Sequence, residues 1–253
     1  MSRRNKDKVD LNYLFELTQL ITSLSEDVTV KGAVILASQA ALMGVQNNFR
    51  MTRDIDLNLR NGDVLRAFNI VQHAVDMSSK RGIVKPVREN EKSCSLLVVD
   101  DNEVTLAQLD VQFKDTLFKI HYPLPNGGQF RGQSFGLILA DKLSVVSSSK
   151  GVLPKRIKDL FDVYFISCLY NINYQDVLRH LKVTQRELGN FGVLLDYQNE
   201  SKSGIKHAYN SYTGIGNKPE FNIVITRVLS FCKPFMREYT GQLYWDKKGG
   251  KWS

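Results

Sequence analysis

Residues 54–59, Asp-Ile-Asp-Leu-Asn-Leu, alternate polar and apolar with a period of two, the pattern of a half-buried β-strand. Alternation sends residues i and i+2 to the same side. Asp54 and Asp56 therefore project together, while Ile55, Leu57 and Leu59 do not share that face. Two carboxylates side by side repel, and burial raises the cost of ionising both. A divalent cation removes the penalty. Mg²⁺ favours carboxylate oxygens and substrate phosphates, with water completing an octahedron. Two such ions about 3.5–4 Å apart can flank a phosphorus atom and stabilise the attacking and leaving oxygens.

The surroundings of this strand suit the same chemistry. Val28-Thr-Val30 is short and β-branched, Gly32 breaks the pattern, and Ala33 to Met43 has helical texture. A strand, a tight turn and a helix in that order put backbone N–H groups and the positive end of a helix dipole where a triphosphate could sit. Further on, residues 104–113 are strongly strand-like and carry Asp110. A lone carboxylate on a central strand is costly unless it meets a cation.

The remaining elements follow from periodicity and caps. Leu11 to Leu24 spaces its apolar residues as a helix, with Asp10 as N-cap. Residues 46–53 are polar and loop-like. Asn61-Gly62-Asp63 supplies a turn and a cap for a helix over Val64 to Met77. Residues 83–87, 95–99 and 118–122 read as strands, and Asp100-Asp101-Asn102 as a hairpin turn. Pro123 to Gly132 (PLPNGGQFRG) reads as the joint between two domains. Its glycines lack the strand-then-helix setting of a phosphate cradle, as does Gly214-Ile-Gly216. Beyond Ser134 helices are expected over 135–148, 155–169, 174–181 and 221–236, with 200–220 a long loop. The layout is an α/β domain over 1–125 followed by a mainly helical domain over 133–253.

The helical half contributes Asp141-Lys142-Leu143 and the run Lys155-Arg156-Ile157-Lys158-Asp159-Leu160-Phe161-Asp162. Lys158 and Asp162 lie at i and i+4 and can pair on one helical face. The pattern suits an ion pair between helices or, taken with the aspartates, a cationic wall for a triphosphate.

Several function classes fall away. Cys94, Cys168 and Cys232 are widely spaced and odd in number, so neither a disulfide framework nor a Cys-x-x-Cys metal site is expected. His73, His121, His180 and His207 form no zinc motif. No apolar run approaches the ~20 residues that cross a bilayer, and the charged start has no apolar signal core, so a cytoplasmic protein is expected. The formal net charge of +8 favours anionic partners. Basic residues gather at Arg3–Lys8, at Lys80, Arg81, Lys85, Arg88 and Lys92, at Lys155–Lys158, and at Lys247–Lys251. Taken singly, these clusters read as solvated faces or a frayed tail.

Five pieces in order resemble the AbiEii/AbiGii toxin family of nucleotidyltransferases: Lys31-Gly32-Ala33, Arg50-Met-Thr-Arg-Asp54-Ile-Asp56-Leu57, Leu109-Asp110-Val111, Asp141-Lys142-Leu143, and Arg156-Ile-Lys158-Asp159-Leu-Phe-Asp162. The resemblance spans residues 28–168. It implies an α+β, polymerase-β-like nucleotidyltransferase core, a mixed β-sheet with flanking helices, followed by a mainly α-helical domain. It also implies transfer of a nucleoside monophosphate from an NTP to an acceptor. In several relatives the acceptor is the 3′ end of tRNA, and such toxins come with a separately encoded antitoxin. On this resemblance Asp54 and Asp56 are the metal pair for Mg²⁺ or Mn²⁺. Asp110 is the third ligand and activates the acceptor hydroxyl, directly or through metal. Lys142 lies over the triphosphate, Asp159 and Asp162 belong to the terminal motif, and Arg156 and Lys158 support it. Lys31, Gly32 and Ala33 form the phosphate turn, and Arg53 contacts phosphate or stabilises the aspartates. The family usually has a second Gly or Ser where Ala33 stands. Alanine lacks a hydroxyl and resists positive φ, so a catalytically impaired nucleotide- or nucleic-acid-binding protein is the alternative. A small-molecule (antibiotic) nucleotidyltransferase is a third; its polycationic acceptor suits this basic chain poorly.

Overall fold

A computed structural model of the protein describes residues 10–148, 152–237 and 239–253; the basic stretch Arg3–Lys8 lies outside them. The chain divides into two units. The first takes in the chain to Gln46 and Met51–Ser134, the second Asn47–Arg50 and Phe135–Ser253.

In the first unit helix α1 (Leu11–Leu24) starts at Asp10, whose carboxylate accepts from the amides of Asn12 and Tyr13. Strand β1 (Val28–Lys31) runs through Gly32 into α2 (Ala33–Leu42). Then come β2 (Asp54–Leu59), α3 (Val64–Met77, capped by Asp63), β3 (Ile83–Asn90), β4 (Ser93–Val99), β5 (Thr105–Gln112), β6 (Lys119–Pro123) and β7 (Gln129–Gln133). The strands make one mixed sheet in the order β3-β4-β5-β2-β1-β7-β6. The pairs β2/β5 and β1/β7 are parallel and the others antiparallel. The apolar residues of β2 and β5 turn inward: Leu57, Leu59 and Val111 pack with Ile21 of α1 and Ala67, Ile70 and Val71 of α3. That packing fixes which side the alternating aspartates take, because a one-residue slip would bury them.

The segment Pro123–Gly132 is not a joint. It closes the β6–β7 hairpin, and β7 enters the sheet beside β1, with Val30 opposite Gly132. Proline and glycine signal a hairpin turn as readily as a linker. Gly132 serves packing: a Cβ there would lie 2.8 Å from the Tyr122 ring and 2.9 Å from Ile35 Cδ1.

The second unit holds α4 (Phe135–Val146), α5 (Ile157–Leu169), β8 (Ile172–Asn173), α6 (Tyr174–Val183), α7 (Gly192–Leu195), α8 (Glu200–Ser203), α9 (Ile205–Ser211), α10 (Phe221–Cys232), β9 (Tyr244–Asp246) and β10 (Lys251–Trp252). Residues 200–220 are thus not one long loop. Tyr209 of α9 is buried and stacks on Phe161 at 4.8 Å, so tertiary packing overrides the polar composition. The basic stretch Lys247–Lys251 is not a frayed tail either; it links β9 to β10 in a small sheet ordered β10-β9-β8. Trp245 anchors that sheet, 1% exposed, its indole N–H donating to the Ser167 carbonyl at 2.7 Å. Among the described residues no helix is long and apolar enough to cross a membrane.

Candidate active site

The first unit gathers the predicted carboxylates by strand register. In the parallel pair β2/β5, Asp54 lies opposite Gln108 and Asp56 opposite Asp110. Registered residues share a face at about 4.8 Å spacing. Asp54, Asp56 and Asp110 are each partly exposed while Ile55, Leu57, Leu109 and Val111 are buried, so all three acids stand on the face opposite the core. On the neighbouring strands Lys31 pairs in register with Asp56, and Ser95 with Asp110.

The Asp110 carboxylate is oriented from two sides: Ser95 Oγ donates to Oδ1 at 2.5 Å, and Gln108 Nε2 lies 3.5 Å from Oδ2. Among the described residues no three His, Cys, Asp or Glu side chains are drawn together into a ready-made metal cluster. The strand register supplies the proximity of their backbones. The donor set nevertheless fits a hard cation: every candidate ligand is a carboxylate oxygen on one face, as Mg²⁺ or Mn²⁺ prefers.

Gly32 makes room at this row. Its φ is +71° and ψ −137°, and a Cβ there would lie 3.0 Å from Asp56 Oδ2. Both facts require glycine. Gly32 is the N-cap of α2 and has no side chain to cap that end, so the first-turn amides, which have no partner within the helix, begin beside Asp56. Ala33 lies inside the helix and is not among the positive-φ residues. The backbone objection to alanine at this position therefore falls, leaving only its missing hydroxyl. Gly32→Ala is expected to cost about 1–3 kcal/mol and to abolish stabilisation by NTP; circular-dichroism melting with and without NTP measures both.

Arg53 is exposed and makes no ion pair among the described residues. It does not clamp the aspartates directly.

The second unit contains a separate buried charge cluster. Asp162 on α5 is fully buried and takes a two-pronged contact from Arg50, Nε at 2.7 Å and Nη2 at 2.9 Å. Lys142 Nζ on α4 reaches Asp159 at 2.5 Å and Asp162 at 2.7 Å. Arg156, half-exposed, brings Nε to 2.8 Å from Asp159 Oδ2. Three cations surround two carboxylates, so the cluster carries an excess positive charge. Sequence reasoning left Arg50 without a role. The available signal was its need, once buried, for a carboxylate, but that partner lies 112 positions away.

Lys158 does not pair with Asp162 as the i, i+4 spacing predicts. Lys158 is exposed, whereas Asp162 points into the unit. A carboxylate so deeply buried is held by cations that come in with it.

Burial alone would raise the Asp162 pKa, but Arg50 and Lys142 outweigh it and hold the carboxyl down at about 2. Burial likewise opposes the charged form of Lys142, and Asp162 and Asp159 overcome it, leaving the ammonium above its ordinary value. For Asp162 the folded pKa lies below the ordinary 3.8, so its contribution is complete above that value and disappears as pH falls toward 2. Both tryptophans, Trp245 and Trp252, lie in this unit. Denaturation followed by their fluorescence is expected to show stability falling steeply between about pH 4 and 2; Asp162→Asn should flatten that slope.

No protein-family profile matches the sequence, and no curated protein matches it significantly. Solved structures do. JHP933 from Helicobacter pylori superimposes with a TM-score of 0.56 at 14% identity, covering 90% of this chain and 94% of that one. A second Helicobacter pylori protein, named as a candidate nucleotidyltransferase, gives 0.55 at 14% identity, with 93% and 96% covered. MenT4, a nucleotidyltransferase toxin from Mycobacterium tuberculosis, gives 0.42 at 12% identity over 85% and 75%, a looser likeness on which nothing further rests. The chain has an α+β nucleotidyltransferase fold, a mixed seven-stranded sheet with flanking helices.

Proposed function

We propose that this protein is a metal-dependent nucleotidyltransferase that moves a nucleoside monophosphate from an NTP to the 3′ end of an RNA, a tRNA above all, and acts as a toxin countered by a separately encoded antitoxin. The observation that carries the enzymatic reading is the register of Asp56 with Asp110 on parallel strands, next to a glycine-opened helix N-terminus. The acceptor and the toxin role rest on the five-part sequence resemblance and on the net charge of +8.

Each residue then has a task. Asp54 and Asp56, with Asp110 as the third ligand, would hold Mg²⁺ or Mn²⁺, whose charge offsets the repulsion between neighbouring carboxylates. The bound cation would supply positive charge to the transferring phosphoryl group. The amides at the start of α2, with Lys31 on the adjacent strand, hold the triphosphate. Asp110, its carboxylate fixed by Ser95 and Gln108, removes the proton from the acceptor hydroxyl as its oxygen attacks the α-phosphorus; pyrophosphate leaves. Asp110 needs a fixed aim, and the two donors give it that. In the second unit Lys142, Arg156 and Asp159 form a phosphate-responsive element: excess positive charge is offered through the half-exposed Arg156, while Lys142 stays pinned by its two carboxylates. Arg53 and Lys158, both exposed, serve as peripheral cations.

The test is direct. The protein is incubated with Mg²⁺ or Mn²⁺, each labelled NTP and total tRNA, with an aminoglycoside in a parallel arm. Label on RNA 3′ ends is the expected result. Label on the aminoglycoside alone, or on neither while a control enzyme works, overturns the reading.

A further inference from the structure

The carboxylate row continues across the sheet on the side away from Gly32, and its far end is basic. From β1 to β3 the registered residues are Lys31, Asp56, Asp110, Ser95 and Arg88. The next row runs Asp54, Gln108, Leu97 and Lys85. A register shift between Pro86 and Arg88 sets Lys85 and Arg88 on the same face although they are three positions apart. Without that bulge one of the two cations would point to the other side of the sheet.

The two faces of β3 and β4 are sorted by charge. Glu89 lies in register with buried Cys94, so it stands on the opposite face. There it lines a groove with Asp63, Glu91 and Phe113. On the carboxylate face, Lys85 is neutralised by Glu103 at 2.6 Å. Arg88 is exposed and makes no ion pair among the described residues. Between it and Asp110 stands Ser95, with Ser93 and Gln112 in the following row. These are hydrogen-bonding groups without charge.

We propose that this face of β4 and β3 is the track of a single-stranded nucleic acid acceptor, and that Arg88 binds one of the first phosphates behind its reacting 3′ hydroxyl. This rests on the nucleotidyltransferase reading. The triphosphate takes the Gly32 side of the row, so an acceptor whose hydroxyl is activated by Asp110 approaches from the other side. Two strand spacings, about 10 Å, separate the backbones at Asp110 and Arg88, and the arginine side chain spans part of that. A polyanionic strand laid from Asp110 toward β3 would cross the uncharged Ser95 position first and meet a free guanidinium next. A polycationic small molecule would be repelled by Arg88. A nucleic acid is thus the acceptor class this face fits.

Arg88→Gln, Arg88→Glu and Arg88→Lys test it in the full chain. The probe is a short fluorescent single-stranded RNA with a free 3′ hydroxyl, its affinity read by anisotropy over a range of salt; NTP binding is read separately by thermal shift. Arg88→Gln should weaken RNA binding several-fold and reduce the slope of log affinity against log salt by about one contact's share. Arg88→Glu should weaken it further, Arg88→Lys should restore most of it, and all three should bind NTP as the wild type does. In transfer assays the acceptor KM should rise with kcat little changed. If the wild type labels RNA and all three variants match it in affinity and salt slope, the track is wrong and the enzymatic reading stands. If the wild type neither binds nor labels RNA, both are wrong.

Discussion

Asp56→Asn is expected to reduce nucleotidyl transfer by at least about 10³-fold, the scale at which removing one charge-stabilising group of a phosphoryl or acyl transition state is felt. The melting temperature should stay the same or rise. Asp56 faces Asp110 in register and Asp54 two positions away, and removing one of three neighbouring carboxylates relieves their repulsion when no cation is bound. The combination is diagnostic. A residue that serves only the fold loses stability with activity, whereas a cation ligand loses activity alone. A variant retaining a tenth or more of the wild-type rate would remove Asp56 from the chemistry.

Asp162→Ala is expected to behave in the opposite way. It leaves Arg50 and Lys142 buried without the carboxylate that receives both, and breaking a buried pair from one side costs about 3–5 kcal/mol. The loss should appear in the second unit, where Trp245 and Trp252 report it. Urea denaturation followed by tryptophan fluorescence measures it. Arg50→Met combined with Asp162→Leu should recover part of the loss, since replacing both members by apolar groups removes the uncompensated charge. A single-variant change below about 1 kcal/mol would mean that water reaches the cluster and screens it.

The strand carrying Asp54 and Asp56 was legible because alternation is a local signal, and Asp10, Asp63 and the Asp100 turn were legible for the same reason. The meeting of Asp56 with Asp110 was less so: it depends on β2 pairing with β5 in parallel, and register between distant strands is set by the core residues on the other face. Gly32 could be singled out as a turn, but its closeness to Asp56 Oδ2 needs the folded sheet. Arg50 has no visible task in the sequence because its partner is 112 positions away. Helical spacing permits a Lys158–Asp162 pair, but burial decides otherwise, sending Asp162 inward and leaving Lys158 in solvent. At β7 and β10 the same residue types that mark linkers and tails instead mark hairpin turns. There the deciding terms were long-range: a glycine under Tyr122 and a tryptophan N–H seeking a carbonyl.

The central claim is that Asp54, Asp56 and Asp110 together hold a divalent ion. Mn²⁺ binding followed by electron paramagnetic resonance, with a non-hydrolysable NTP analogue present, tests it without relying on turnover. Wild-type protein is predicted to take up Mn²⁺ and to release it to excess Mg²⁺, and Asp54→Asn and Asp56→Asn to bind at least tenfold more weakly. Equal Mn²⁺ affinity in the wild type and both variants would contradict the account.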